Sequence, residues 1–314
     1  MGKKTKIDWC DSTWNPVTGC LHGCEYCYAR RIAERFGGAS ETHNNECCCE
    51  CQWETEGTGE IHDLNEPIYD YDRCRNAPYP FDFDPTFHRY SLDEPQKWKK
   101  PRNIFVCSMA DLFGDWVPDE WIREVFQACE AAPQHRYLFL TKNPKRYFDL
   151  YEKDIMPRGV NAWNKYFGCT ITKPTDEFFF NNLYGNGIDH PGFLSIEPIM
   201  EDFDICEFDK DENGVKWIIV GAETGNRKEK VIPKREWIEH VAETCKRNNI
   251  PLFMKESLRD LMGDDFRQEF PWLFYERYIH AGGICALLLA AWLWQEEGRA
   301  CMDAGARHGS CDRG

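Results

Sequence analysis

Three cysteines lie close together near the start of the chain, in Gly19-Cys20-Leu21-His22-Gly23-Cys24-Glu25-Tyr26-Cys27-Tyr28. Their spacing is C-x3-C-x2-C, with an aromatic residue directly before the third. Three thiolates on one short loop can bind three irons of a [4Fe–4S] cube, leaving the fourth iron open to a substrate or cofactor. A structural zinc ion normally takes four protein ligands, so the trio alone is one short, although His22 lies in the same loop. Gly19 and Gly23 allow the backbone to wrap closely around a cluster. After Cys27, Ala29–Phe36 reads as a helix.

A second group comprises Cys47, Cys48, Cys49 and Cys51, with Cys74 downstream. Adjacent side chains of an extended strand face opposite ways and cannot all reach one metal. An irregular loop can direct two or three of them together, with Cys74 or His43 as a further ligand. A second metal site, zinc or iron–sulfur, is one reading; a variable loop with free thiols is the other. Cys107, Cys129, Cys169 and Cys245 stand singly inside apolar patterns and read as small buried hydrophobes. The N-terminus, Met1-Gly2-Lys3-Lys4, has no apolar stretch after its lysines, so no secretory signal is expected. With 17 cysteines and no export signal, a reducing, cytoplasmic setting is expected, with metal ligation or burial in place of disulfides.

The elements that must position these residues are legible from about residue 100. Apolar runs predict strands at Asn103–Cys107, Arg136–Thr141, Tyr166–Ile171, Gly192–Ile196, Trp217–Gly221 and Pro251–Met254. Their apolar residues run together and do not alternate, as in strands covered on both faces. Helix signals fall between them: one from Pro118 with Trp121, Ile122, Val125 and Phe126 in phase, and another near Pro233 with Trp237, Ile238, Val241 and Cys245. Shorter ones follow Pro144 and Pro174. With one more strand near the N-terminus, this is an α/β fold, a full or partial (β/α) barrel of mostly parallel strands.

The expected division is residues 1–37 for the first strand and the cysteine loop, 38–99 for a Cys-rich insertion, 100–276 for the rest of the barrel, and 277–314 for a tail. The tail contains the apolar run Ile284–Trp294, too short to span a bilayer. The 53 acidic and 38 basic residues give a net charge of −15, which argues against a general nucleic-acid coat but allows a local basic groove. Lys3, Lys4, Lys6, Arg30, Arg31 and Arg35 form such a basic stretch, and Trp9, Trp14, Tyr26 and Tyr28 are candidates to stack on bases.

The cysteine motif, with Tyr26 before its last member, resembles that of radical S-adenosylmethionine enzymes. Further blocks resemble a family of radical-SAM-like proteins of unknown substrate, carried largely by phages and mobile elements. These blocks are Trp14–Cys20, Cys27–Arg30, Phe105–Phe113, Leu140–Pro144, Ser195–Pro198 and Ile219–Gly225. The resemblance covers residues 5–255. It implies that Cys20, Cys24 and Cys27 hold a [4Fe–4S] cluster whose open iron takes the amine and carboxylate of S-adenosylmethionine. It also implies reductive cleavage of that cofactor to a 5′-deoxyadenosyl radical, with a reductant such as flavodoxin or ferredoxin. Tyr26 matches the aromatic whose backbone lies near the adenine. The turn after the second strand faces the methionine amine in the superfamily, where Gly-Gly-Glu is usual; here Ser108-Met109-Ala110-Asp111 replaces it. Barrel logic adds Glu197, Gly221 and Glu223 as cofactor contacts, with Thr141, Lys142, Thr170 and Lys255 also at strand ends. The substrate is unknown; a nucleic acid or nucleotide is one candidate class, and no membrane partner is implied. The alternative from another class is a non-enzymatic, zinc-binding phage accessory or interaction module.

Overall fold

Apolar runs too short for helices, separated by proline-started amphipathic stretches, build parallel strands joined by helices. The computed structural model describes residues 5–38, 58–158, 162, 164–176, 192–203 and 215–271. Cys47, Cys48, Cys49, Cys51 and His43 lie outside the described residues, as does the tail from 277. The strands are β1 (Ser12–Trp14), β2 (Val17–Thr18), β3 (His62–Leu64), β4 (Tyr69–Asp70), β5 (Arg75–Asn76), β6 (Thr86–His88), β7 (Asn103–Val106), β8 (Arg136–Thr141), β9 (Lys165–Ile171), β10 (Gly192–Ile196), β11 (Val215–Val220) and β12 (Leu252–Met254). The α-helices among the described residues are α1 (Tyr28–Phe36), α2 (Asp119–Glu130), α3 (Lys145–Glu152), α4 (Arg235–Arg247) and the single turn α5 (Arg259–Met262).

Seven strands form one parallel sheet in the order β1-β7-β8-β9-β10-β11-β12. It curls into a partial (β/α) barrel: β1 and β12 are not hydrogen-bonded to each other. The outer face of the sheet carries two core clusters. Ile104, Val106, Tyr137, Phe139 and Phe167 pack outward with Trp121, Ile122, Val125 and Phe126 of α2. Leu194, Ile196, Ile218 and Val220 do so with Ile238 and Val241 of α4. The alternate positions face inward and are strongly aromatic. Trp9 packs on Phe105 (4.6 Å), Phe193 and Trp217 (both 6.2 Å), forming an apolar floor inside the curl.

The open edges are covered locally. Residues just before β1 bridge toward the far side, where the Glu256 amide donates to the Asp8 carboxylate (3.0 Å). Along β12, the Met254 amide donates to the Arg267 carbonyl and the Glu269 amide to the Leu252 carbonyl. Such cover hides backbone groups that would otherwise template another chain. Cys107, Cys129, Cys169 and Cys245 are all buried free thiols, as expected.

The described part of the segment expected to be an insertion is ordered into the same unit. β6 pairs with β2 antiparallel and with β3 parallel, which fastens this segment beside the cysteine loop. His88 of β6 is buried between the Thr18 hydroxyl (2.9 Å from Nε2) and the Tyr90 hydroxyl (3.0 Å from Nδ1). Burial lowers its pKa from 6.5 to about 4. The unfolded chain then binds a proton that the folded one refuses. The resulting loss of stability begins as pH falls through 6.5 and is complete below about 4. Urea-denaturation free energies measured from pH 7 to 4 will fall more steeply for the native chain than for His88→Gln, by roughly 3 kcal/mol over that window. Parallel curves for the two proteins would refute the assignment.

Candidate functional site

The chain reverses sharply after β2 to present the three cysteines. Gly19 has φ +84°, and a Cβ there would lie 2.1 Å from the Asp84 carbonyl oxygen, so only glycine fits. The Gly19 amide donates to the Met109 carbonyl (2.9 Å) and the Cys20 amide to the Phe83 carbonyl (3.1 Å). The loop is thus tied on one side to the turn after β7 and on the other to the strand-rich segment before β6. Gly23, at φ +68°, makes the second left-handed step. The Cys27 amide donates to the Cys24 carbonyl (3.2 Å), and α1 begins directly afterwards. Cys27 caps this helix, its Sγ accepting from the Arg30 amide at 3.3 Å.

All three thiols line one cavity of about 690 Å³. Cys20 and Cys27 also pack against an apolar collar of Ala29, Ala33, Phe83 and Met109. Burial, helped by the nearby Asp111 charge, pushes the Cys20 thiol up to about 12. Among the described residues, no three His, Cys, Asp or Glu side chains converge closely enough to hold a single metal ion. An iron–sulfur cube does not require such convergence, since each thiolate takes its own iron. A three-thiol loop with glycine steps and an apolar collar fits that group. His22 is not offered to a metal through Nε2, which lies 2.8 Å from Asp111 Oδ2, and its ring stands edge-on to Trp116.

The strand ends supply the rest of the wall. Ser108 and Asp111 follow β7, Thr141 and Lys142 lie at the end of β8, Thr170 on β9, Glu197 after β10, Glu223 after β11 and Lys255 after β12; all line the same cavity as Tyr26. Asp111, only 5% exposed, is saturated. It accepts from the Thr141 hydroxyl (2.7 Å), the Phe113 amide (3.0 Å), the Lys142 amide (2.9 Å) and His22. This carboxylate locks the cysteine loop to the ends of β7 and β8. Ser108 donates from Oγ to the Asn15 side-chain carbonyl (3.1 Å), which also takes the Met109 amide (3.1 Å). The Tyr28 hydroxyl donates to the Ser108 carbonyl at 2.6 Å.

Tyr26 is held by Lys142, whose Nζ donates to its hydroxyl at 3.0 Å. Glu197 is ion-paired with Lys255. Glu223 is clamped by Arg227 through two parallel bonds of 2.8 and 2.9 Å, and that guanidinium holds its carboxyl below the usual range. Gly221 lies over Lys255, where a Cβ would come within 2.8 Å of its Cδ.

The structure therefore brings Cys20, Cys24, Cys27, Tyr26, Ser108, Asp111, Glu197 and Glu223 to one cavity, with Gly221 supporting its wall. It corrects two expectations. Trp9 and Trp14 are 2% and 1% exposed and cannot stack on bases. Arg30 turns inward, donating to the Cys20 carbonyl (3.3 Å) with its guanidinium over Phe83. Cys74 is exposed, its thiol directed to the Tyr71 carbonyl. Three residues were missed by sequence reasoning: Asn15, Phe83 and Arg227. Only Asn15, in an Asn-Pro pair directly after β1, carried a turn signal.

A family model described as "Protein of unknown function (DUF5131)" matches residues 4–260. No curated protein matches the chain in sequence. Among solved structures, a cysteine-to-serine mutant of spore photoproduct lyase superposes with a TM-score of 0.43 at 11% identity. Spore photoproduct lyase complexed with dinucleoside spore photoproduct superposes with a TM-score of 0.44 at 10% identity. Both cover 84% of this chain and 77% of the other.

Removing the Asp111 carboxylate leaves four donors without their acceptor in a nearly dry site. Asp111→Ala will lower unfolding stability by about 3 kcal/mol, as read from chemical denaturation. A change under about 0.5 kcal/mol, the range of ordinary surface substitutions, would show that the carboxylate does not hold the loop.

Proposed function

The chain belongs to the family described as "Protein of unknown function (DUF5131)", and we propose that it is a radical S-adenosylmethionine enzyme. One observation carries this reading: three thiols of a single glycine-hinged loop face a cavity whose remaining wall comes from the C-terminal ends of parallel strands. In a (β/α) architecture that end is where chemistry collects. Cys20, Cys24 and Cys27 would hold a [4Fe–4S] cluster, which with S-adenosylmethionine supplies one-electron cleavage to a 5′-deoxyadenosyl radical.

The chain's own residues bind, orient and exclude water. The Cys20–Cys27 loop is fixed by the Met109 and Phe83 carbonyls and by Asp111, so the thiols need little reorganisation on loading. Tyr26, steadied by Lys142, presents its backbone and ring beside Cys24. The Glu197–Lys255 pair offers carboxylate oxygens to ribose hydroxyls or an ammonium, and Glu223, clamped by Arg227, sets the charge of the wall beside it. Asp111, already saturated, positions the loop and does not contact the cofactor directly. Ser108 serves through its carbonyl and Asn15 contact as part of the same support. Trp9 and Phe105 line the cavity with apolar surface from below. A flavodoxin or ferredoxin would deliver the electron.

Anaerobically purified protein will contain about four irons and four sulfides per chain. After reduction with S-adenosylmethionine it will release 5′-deoxyadenosine. Cys24→Ala will lose both the iron and that product. Cys48→Ala will retain both, since Cys48 belongs to a group apart from the trio in sequence. A colourless protein with stoichiometric zinc, or cofactor cleavage by the Cys24 variant, would overturn the reading.

A further inference from the structure

Among the described residues eight large apolar side chains are exposed, and six of them follow one path. Leu21 lies on the cysteine loop; Tyr28, Ile32 and Phe36 follow on α1; Tyr69 and Tyr71 stand on the β4–β5 hairpin, with exposures from 37% to 59%. Tyr28, Ile32 and Phe36 are spaced i, i+4, i+8 and so share one helix face. The inner end of the path opens into the cavity, because Tyr28 and Ile32 line it. The outer end is joined to the hairpin by Arg73, which donates to the carbonyls of Phe36, Gly37 and Gly38 while paired with Asp70. Tyr69 and Tyr71 meet edge-to-face at 5.0 Å. Exposed apolar side chains that succeed one another along one path mark a binding surface, where singly scattered ones do not.

Its charge is unlike that of the whole molecule. In a chain of net charge −15, α1 carries Arg30, Arg31 and Arg35 against the single acid Glu34. Arg31 is exposed beside the Thr224 carbonyl, Arg35 lies 5.3 Å from the Phe36 ring, and Arg75 is exposed on the hairpin, which also carries Asp72. Rings interleaved with guanidinium groups suit a chain that alternates flat bases with phosphates: the rings stack and the cations track the backbone.

We propose that this surface is a docking track for single-stranded nucleic acid and leads a strand into the cavity. The proposal rests on the cavity being the reaction site and names the substrate class for it. The nine residues of α1 span about 13 Å, and the hairpin extends the track, so several nucleotides are covered. Arg31, Arg35 and Arg75 face the phosphates; Arg73 is already engaged in holding the hairpin.

The test is fluorescence anisotropy of a labelled 12-nucleotide oligodeoxythymidylate with the full chain, purified anaerobically, its iron measured on the same sample. Binding is expected to saturate in the micromolar range at 50 mM salt and to weaken toward 200 mM, with a log–log slope of about −2 for three phosphate contacts. A double variant, Tyr71→Ala with Arg75→Ala, lies outside the cavity and is expected to weaken binding at least tenfold with an unchanged melting curve. If that variant does not fold, Arg35→Gln on the solvent face of α1 reports the same loss. Iron-loaded protein that binds no oligonucleotide overturns the track and leaves the cluster reading intact. Oligonucleotide binding by iron-free protein supports the track while counting against the cluster. Equal binding by native chain and variant overturns the proposal. So does a variant that loses flavodoxin binding alone, which would make the surface a protein-docking face.

Discussion

A buried carboxylate must be satisfied where it stands, and Asp111 is the place where that requirement organises this protein. Stripping water from an ionised carboxyl is costly unless donors replace it. Here the donors come from three places in the chain: its own turn, the end of β8 and, through His22, the cysteine loop. The elements that must meet for the cavity to exist are the ones whose meeting relieves this charge. Assembly of the site and the hydrogen bonding of Asp111 therefore go together. The loop that bears Cys20, Cys24 and Cys27 takes its position in part from this carboxylate, through His22.

Backbone sterics impose the second constraint. The left-handed step at Gly19 lets the chain pass against the Asp84 carbonyl, which brings Cys20 back over the sheet end. Asp84 in turn accepts from the Thr58 and Gly59 amides (2.8 and 3.0 Å), tying down the start of the segment that precedes β6. Charge fixes one flank of the loop and close backbone approach fixes the other. The thiols between them are held chiefly by contacts of the backbone and of His22.

What the sequence disclosed follows from the same physics. β7 to β12 fell within two residues of their expected bounds because both faces of the sheet are covered, one by α2 and α4 and the other by the aromatic floor. That double burial writes itself into uninterrupted apolar runs. Pro118 and Pro144 marked helix starts because a missing amide hydrogen costs nothing there. The segment from 58 to 99 stayed illegible since its strands are two or three residues long, too short for any period to register, and partly exposed. The cysteine spacing was legible as local chemistry. Its supports were not: His22 and Asp111 are 89 residues apart, and Thr141 lies 30 beyond. Contacts of that range leave no local pattern. Trp9 shows the converse error, since an aromatic near a basic stretch reads as a stacking platform until the fold assigns it to the floor.

The inner face of the sheet then divides the work by depth. Its lower layer, with Trp9, Phe105, Phe193 and Trp217, is apolar and supplies burial. Its upper rim, at the strand ends, carries charged groups: Asp111, Lys142, Glu197, Glu223 and Lys255. Each of these is already matched, to donors, to Tyr26, or to an opposite charge. A rim of matched charges over a dry floor holds a strong local field with little net charge. It can therefore orient a polar ligand without repelling or trapping it.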